Sequence, residues 1–510
     1  MQSFGQLKPL LPTRRNLHMK TKFPSLRCQS LRALLCGLSL TLVTSCGMSD
    51  QALPKVLDVD PYPGAWDMQK LTDKNADPNI VEVDLEARVT EVEYLPGKKT
   101  PAWAYNGSVP GPLIEAKVGD RVLVHFKNSL PDATTIHWHG VRVPNDMDGH
   151  TLMVSPIPSG GSFDYTFTVK DAGTFWYHPH VRSDDQVEKG LYGALVVRAG
   201  NEPAASGERV VMLDDVYLDE SGMPMPAGDM MELMIGRQGN LLLANGKARP
   251  ILNLRAGERQ RLRIINAANA RFFRLSLPGH KLTLLGTDGG FIESPRELDE
   301  LLLVPGERAD LMITGASVPS TALDVVTLPY ERGHETGALP QANVLRVQYS
   351  AESAVMTPDL PVTLTTIASL PAPIRTRMFM LSEQMTPSSS GHSGHGSSST
   401  SSKPMFTING QAYPSVPSIT SKIGETEVWE VMNDATMDHP FHLHGFFFQV
   451  LSRGGVPEPV TAWKDTVNIK RDETVRLAVR FDGYTGQWLY HCHILEHAEN
   501  GMMGELDIAK

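Results

Sequence analysis

The 510-residue chain has four cysteines, and three of them fall within its first 46 residues. No pair remains for a disulfide in the rest of the chain, so packing or bound metal must stabilise it. Cationic charge is also scarce. Residues 1–45 hold seven Lys and Arg and no Asp or Glu, and beyond them 40 basic residues face 57 acidic ones, a net charge of −17. Such an acidic surface disfavours nucleic acid as a partner and attracts cations weakly. Long amphipathic helices are few, and no apolar run reaches the length of a membrane span.

The basic leader is a targeting segment. Its apolar run from Ala33 to Val43 ends at Val43-Thr44-Ser45-Cys46, the pattern of a lipoprotein-type export signal with Cys46 as the lipidated residue. Residues 1–45 are therefore expected to be an export signal, with Met19 as an alternative start and Thr13-Arg14-Arg15 as a twin-arginine alternative. The mature protein would lie in the periplasm or cell envelope, anchored to a membrane through Cys46, and 46–74 would form a linker.

What the chain does have is histidine in clusters. Four short segments carry ten histidines and the remaining cysteine: His137-Trp138-His139-Gly140, His178-Pro179-His180, His439-Pro440-Phe441-His442-Leu443-His444 and His491-Cys492-His493-Ile494-Leu495-Glu496-His497. A lone buried histidine is usually structural and a single HxH is weak, but four such clusters together indicate metal. A thiolate, two imidazoles and a distant thioether make an electron-transfer copper centre, and Cys492 with Met502 supplies the sulfur ligands. If 486–493 is a strand, Cys492 faces away from His491 and His493. One strand then serves two metal sites.

In these motifs and their order the chain resembles the multicopper oxidases, over about residues 80–510. The resemblance implies four copper ions: type 1 held by His439, Cys492 and His497 with Met502 axial, type 2 by His137 and His442, and the type 3 pair by His139, His178, His180, His444, His491 and His493. It implies dioxygen as electron acceptor and a phenolic compound or Cu(I) as reductant, with an axial methionine favouring easily oxidised reductants. Asp148, nine residues after His139, matches an acidic position used there for proton delivery. The second such carboxylate is replaced by Ala498, with Glu499 one residue later. The competing class is a non-enzymatic copper-binding or envelope scaffold protein, which retention of every ligand argues against.

The fold expectation comes from repeats. Asn106-Gly107, Asn245-Gly246 and Asn409-Gly410 each precede a Gly-Asp or Gly-Glu turn and a short alternating strand such as Val122–Phe126, which points to one unit used three times and to antiparallel β-sandwiches. With the resemblance this becomes an all-β chain of three cupredoxin-like Greek-key sandwiches at about 75–203, 207–352 and 360–510. The middle one has Ile264-Ile265-Asn266-Ala267 where the first has Ile136-His137-Trp138-His139. It offers no ligands and reads as a spacer.

Two segments have competing readings. The Ser/Gly tract 388–402 with His392 and His395 reads as a disordered linker in preference to a copper-collecting arm. Met223, Met225, Met230, Met231 and Met234 are soft donors able to dock Cu(I), or ordinary core fillers. His125, His150, His280 and His334 stand alone and receive no function.

Overall fold

In the computed structural model the described residues are 53–315, 322–334, 337–353, 357–385 and 403–510. The export signal, Cys46 and the 388–402 tract lie outside them.

Six sheets pair into three two-layer sandwiches. In the first, Lys98–Tyr105, Ile80–Leu95, Arg121–Ser129 and Ser162–Thr168 face Ile114–Lys117, Gly193–Arg198, Gly173–His178 and His137–His139. The second runs from Gly207–Val216 to Ala342–Ser353, and the third from Arg375–Met385 to Met503–Ala509. Alternation does the sorting: Val122, Val124 and Phe126 are buried while Leu123 and His125 face outward. Each sandwich encloses its own apolar core, and a further apolar cluster, with Tyr94, Trp176, Val210 and Leu243, packs between the first two.

The three Asn-Gly turns are the same device. Both residues of each have positive φ (51° and 82°, 50° and 69°, 54° and 76°), the hairpin geometry that asparagine followed by glycine accepts most readily. Each asparagine also clamps the strand before it. Its Oδ1 accepts from the backbone N–H of Glu86, Met212 or Met380, and its Nδ2 donates to the carbonyl two residues earlier.

The sheets are mixed, not purely antiparallel as expected. Ile80–Leu95 pairs parallel with Arg121–Ser129, and the same pairing recurs at Gly207–Val216 with Arg259–Asn266 and at Arg375–Met385 with Thr426–Asn433. The intervening strand (Ile114–Lys117, Ile251–Ala256 or Ile419–Lys422) crosses to the opposite sheet. The chain therefore returns by a crossover and not a hairpin, which is what parallel pairing needs.

The helices among the described residues are short: α1 (Ser183–Glu188), α2 (Met230–Ile235), α3 (Leu495–Glu499) and one 3-10 turn, Asn145–Met147. None is long and apolar enough to cross a membrane.

Candidate metal centre

Strand parity builds two sites from one sheet. In the third sandwich His439–Leu443 pairs antiparallel with Gly486–Cys492, placing His442 opposite His491 and Phe441 opposite Cys492. His442, His444 and His491 then share one face, and His439, Phe441 and Cys492 the other. In the first sandwich His137 lies opposite His178, with His139 two residues on along the same face.

The Cys492 face makes the first site. The single turn α3 folds His497 back, so that Cys492 Sγ lies 3.4 Å from His439 Nδ1 and 3.9 Å from His497 Nδ1, with the two Nδ1 atoms 3.2 Å apart. Met502 is fully buried in the same core, and its backbone joins it to both partners: Met502 N–H donates to His497 O, and Cys492 N–H to Met502 O.

The opposite face gathers the other eight histidines between the first and third sandwiches, all buried. Six of them donate through an outer nitrogen: His137 Nδ1 to Asp148 O (2.9 Å), His178 Nδ1 to Pro179 O (2.9 Å), His442 Nδ1 to Asp465 O (3.0 Å), His491 Nδ1 to Cys492 O (2.8 Å), His444 Nδ1 to Asp148 Oδ2 (2.7 Å) and His139 Nε2 to Asp465 Oδ1 (3.2 Å), while neither ring nitrogen of His493 has a partner. Carbonyls and carboxylates only accept, so in each of these six rings the proton sits on the outer nitrogen and the lone pair points inward. The inner nitrogens of His137, His139, His178 and His442 have no hydrogen-bond partner.

That geometry tests the fit of metal. His444 Nε2 and His491 Nε2 stand 3.1 Å apart, and both are lone-pair atoms because their Nδ1 atoms carry the protons. At the first site His497 Nε2 donates to Met234 O at 3.1 Å, which leaves its Nδ1 lone pair facing His439 Nδ1 at 3.2 Å, and His439 Nε2 is a buried nitrogen without a partner. Lone pairs that close repel unless a cation sits between them. Buried orphan nitrogens require an explanation of the same kind. Five buried donor triads, which share some members, have ligand atoms close enough to hold ions: three of histidine alone, one completed by Cys492 and one by Asp465.

The electrostatics agree. Burial holds His439 down to about 3, with the Arg332 guanidinium adding to it, and burial likewise holds His491 to about 3. His139, His178, His180, His444, His493 and His497 lie well below the ordinary range for the same first reason. These imidazoles are neutral at neutral pH, the form that can ligate a metal. Burial pushes the Cys492 thiol up, so metal must displace its proton.

One consequence concerns the metal-free protein. His439 and His491 are lowered on folding, so the unfolded chain binds more protons between about pH 6.5 and 3, and stability present above 6.5 is lost as pH falls through that window. The slope approaches about 1.4 kcal/mol per group per pH unit. Thermal midpoints of metal-free protein should fall steeply over this range, and copper loading should raise them without flattening the fall, because coordinated nitrogens of the folded state take up no protons either; metal-free midpoints that stay level between about pH 6.5 and 3 would contradict it.

Asp148 lies against the histidine cluster, its Oδ2 2.7 Å from His444 Nδ1. It is fully buried, and although burial alone would raise its carboxyl, His137 and neighbouring histidines lower it. Three participants were not foreseen. Asp465 supports His139 and His442 and is itself held by Arg308 of the middle sandwich, whose charge keeps it far below the carboxylate range against the opposing effect of burial. Met234 O, on α2, caps His497. His150 is buried, 4.0 Å from Asp148 Oδ2, and donates through Nε2 to Gln487 O. The middle sandwich has no ligands but is no mere spacer. Ala498 is buried in a small apolar cluster with Leu489 and Met503, surroundings that disfavour a carboxylate there. The exposed Glu499 accepts from Ser183 N–H and Oγ.

Three family models, each described as multicopper oxidase, match residues 86–202, 207–324 and 384–510. A multicopper oxidase of Mycobacterium tuberculosis is 33% identical over 79% of this chain and 82% of its own length. One from Staphylococcus aureus is 28% identical over 92% and 94%. The solved structure of a Campylobacter jejuni multicopper oxidase, described as a metallo-oxidase, superposes with a TM-score of 0.78 at 32% identity, over 90% of this chain and 98% of that one. Two buried donor sets back to back on one strand, within three sandwiches that each match the same family, make this chain a member of the multicopper oxidases.

Proposed function

We propose that the protein is a copper-dependent oxidase that takes single electrons from a reductant near His497 and delivers four of them to dioxygen, forming two waters. In this reading His439, Cys492, His497 and Met502 hold type 1 copper, His137 and His442 hold type 2, and His139, His178, His180, His444, His491 and His493 hold the type 3 pair. Bound copper supplies one-electron transfer at the first site and multi-electron reduction of dioxygen at the second. One observation carries the assignment: Cys492 belongs to the first site, and its carbonyl accepts from His491 Nδ1 of the second at 2.8 Å. The two sites are therefore joined through a residue and a hydrogen bond. Buried carbonyls and carboxylates fix the ligand rings, and the enclosing sandwiches exclude water.

Cu(I) is the reductant favoured over a phenol. His497 is fully buried and its Nε2 is already bonded to Met234 O, so no aromatic ring reaches that edge while α2 is in place. The capping helix presents Met230, Met231 and Met234, all partly buried, and thioethers suit Cu(I). The metallo-oxidase description of the Campylobacter jejuni relative supports this reading. Replacing 226–235 by a short Gly-Ser turn should raise phenol turnover about tenfold and lower Cu(I) oxidation at limiting copper. An unchanged ratio of the two rates would return the choice to a phenol.

The basic leader ending at Cys46 supports export to the cell envelope with a lipid anchor on that cysteine. Metabolic labelling with a radioactive fatty acid, lost in Cys46→Ala, tests it.

A further inference from the structure

The middle sandwich contributes no ligand, yet one of its side chains reaches the histidine cluster. Arg308 begins the strand Arg308–Thr314 and is buried. Its five N–H groups are all used: Nη1 and Nη2 donate to Asp465 Oδ1 and Oδ2 at 2.6 and 2.5 Å, and Nε, Nη1 and Nη2 donate to the carbonyls of Thr174, Gly306 and Asp288 at 3.1, 3.1 and 3.0 Å. The guanidinium is thereby fixed in plane and position.

Asp465 passes that constraint on. Its Oδ1 accepts from His139 Nε2 at 3.2 Å and its backbone carbonyl accepts from His442 Nδ1 at 3.0 Å. His139 belongs to the first sandwich and His442 to the third, so all three meet at one ion pair. The packing leaves no slack: a Cβ on Gly140, next to His139 and at φ +81°, would fall 2.3 Å from Arg308 Nη2 and 2.6 Å from Asp465 Oδ2. Apolar residues of similar volume would often stabilise the interface as well as a buried ion pair does. They could not hold a carboxylate against His139 and, through the same residue, a carbonyl against His442.

We propose that Arg308 is a positioning residue for the trinuclear site, setting His139 and His442 through Asp465, so that retention of type 2 copper depends on the ligand-free sandwich. The inference rests on the ligand assignment above. Type 2 copper is the sensitive ion because only two side chains are assigned to it and His442 is one of them, and loss of such supporting contacts typically weakens metal binding about 10- to 100-fold.

The test uses full-length protein: wild type, Arg308→Lys, and the double variant Arg308→Met/Asp465→Asn, which leaves neither charge buried alone. Copper per chain after dialysis against a chelator, the type 2 paramagnetic resonance, the blue absorbance and the thermal midpoint of metal-free protein are measured. Both variants should keep full blue absorbance and a near-wild-type midpoint while binding type 2 copper 10- to 100-fold more weakly, with a shifted resonance in what remains. The lysine variant, with the charge but not the two-pronged contact, should show the smaller loss. Variants that hold type 2 copper with an unshifted resonance would overturn the proposal. So would a parallel fall in blue absorbance, type 2 copper and midpoint, which marks Arg308 as a domain-docking residue only. A wild type without any type 2 resonance would defeat the ligand assignment, and this inference with it.

Discussion

Cys492→Ser is expected to abolish the intense blue absorption and all measurable turnover while leaving the protein folded. Cys492 is the one free cysteine among the described residues, and its sulfur is the one thiol between His439 and His497. A serine hydroxyl is a poor copper ligand and gives no thiolate-to-copper charge transfer. The fold should survive, because the third core is built on residues such as Phe379, Trp429, Phe441 and Tyr490, and a hydroxyl can accept the Ile494 N–H that now points at the sulfur. The destabilisation should be about 1 kcal/mol, as for an ordinary point substitution. The histidines proposed for type 2 and type 3 copper are untouched, so three of the four coppers should remain. A colourless, fully loaded wild type, or a blue serine variant, would remove Cys492 from the first site.

The histidine clusters were legible because they are short runs in sequence, and the strand parity that separates Cys492 from His491 needs no tertiary information. The Asn-Gly turns were legible for a similar reason, since the demand for positive φ is local. Asp465 and Arg308 were not. His139 and Asp465 are 326 positions apart, Arg308 and Asp465 157, and nothing in Trp463-Lys464-Asp465 distinguishes it from a surface strand edge. Arg261 and Arg263 mislead in the same way: they read as the solvent face of an alternating strand but are buried against Glu202, Glu208 and Asp310. Sequence patterns encode faces and turns; they do not encode which charge a neighbouring domain will neutralise. His150 was passed over because a lone histidine carries no signal until its neighbours are known.

Asp148→Asn is expected to slow reoxidation of the fully reduced enzyme by about 10²-fold or more, the usual effect of losing a placed proton-transfer group. Reduction of dioxygen to water consumes four protons for each four electrons, and they must enter a closed site lined with neutral imidazoles. Asp148 is the carboxylate placed for that task. Its Oδ2 accepts from His444 Nδ1, its Oδ1 has no hydrogen-bond partner, and His150 lies 4.0 Å away. The second carboxylate expected of the family is absent at Ala498, which is walled in by apolar side chains. The substitution isolates charge from geometry: an asparagine Oδ1 can still accept from His444, so the ring keeps its orientation and the copper content should hold. Blue absorption and the rate of reduction by Cu(I) should stay near wild type, since Asp148 touches none of His439, Cys492 or His497. Stopped-flow measurement of the two half-reactions separates them. Normal reoxidation in the asparagine variant would mean that protons arrive by another path, and Glu499 is then the residue to substitute, because it binds Ser183, three positions from His180. Ala498→Glu should give no rescue in either background, because its carboxylate would be buried among Leu489 and Met503 with no partner to keep it ionised.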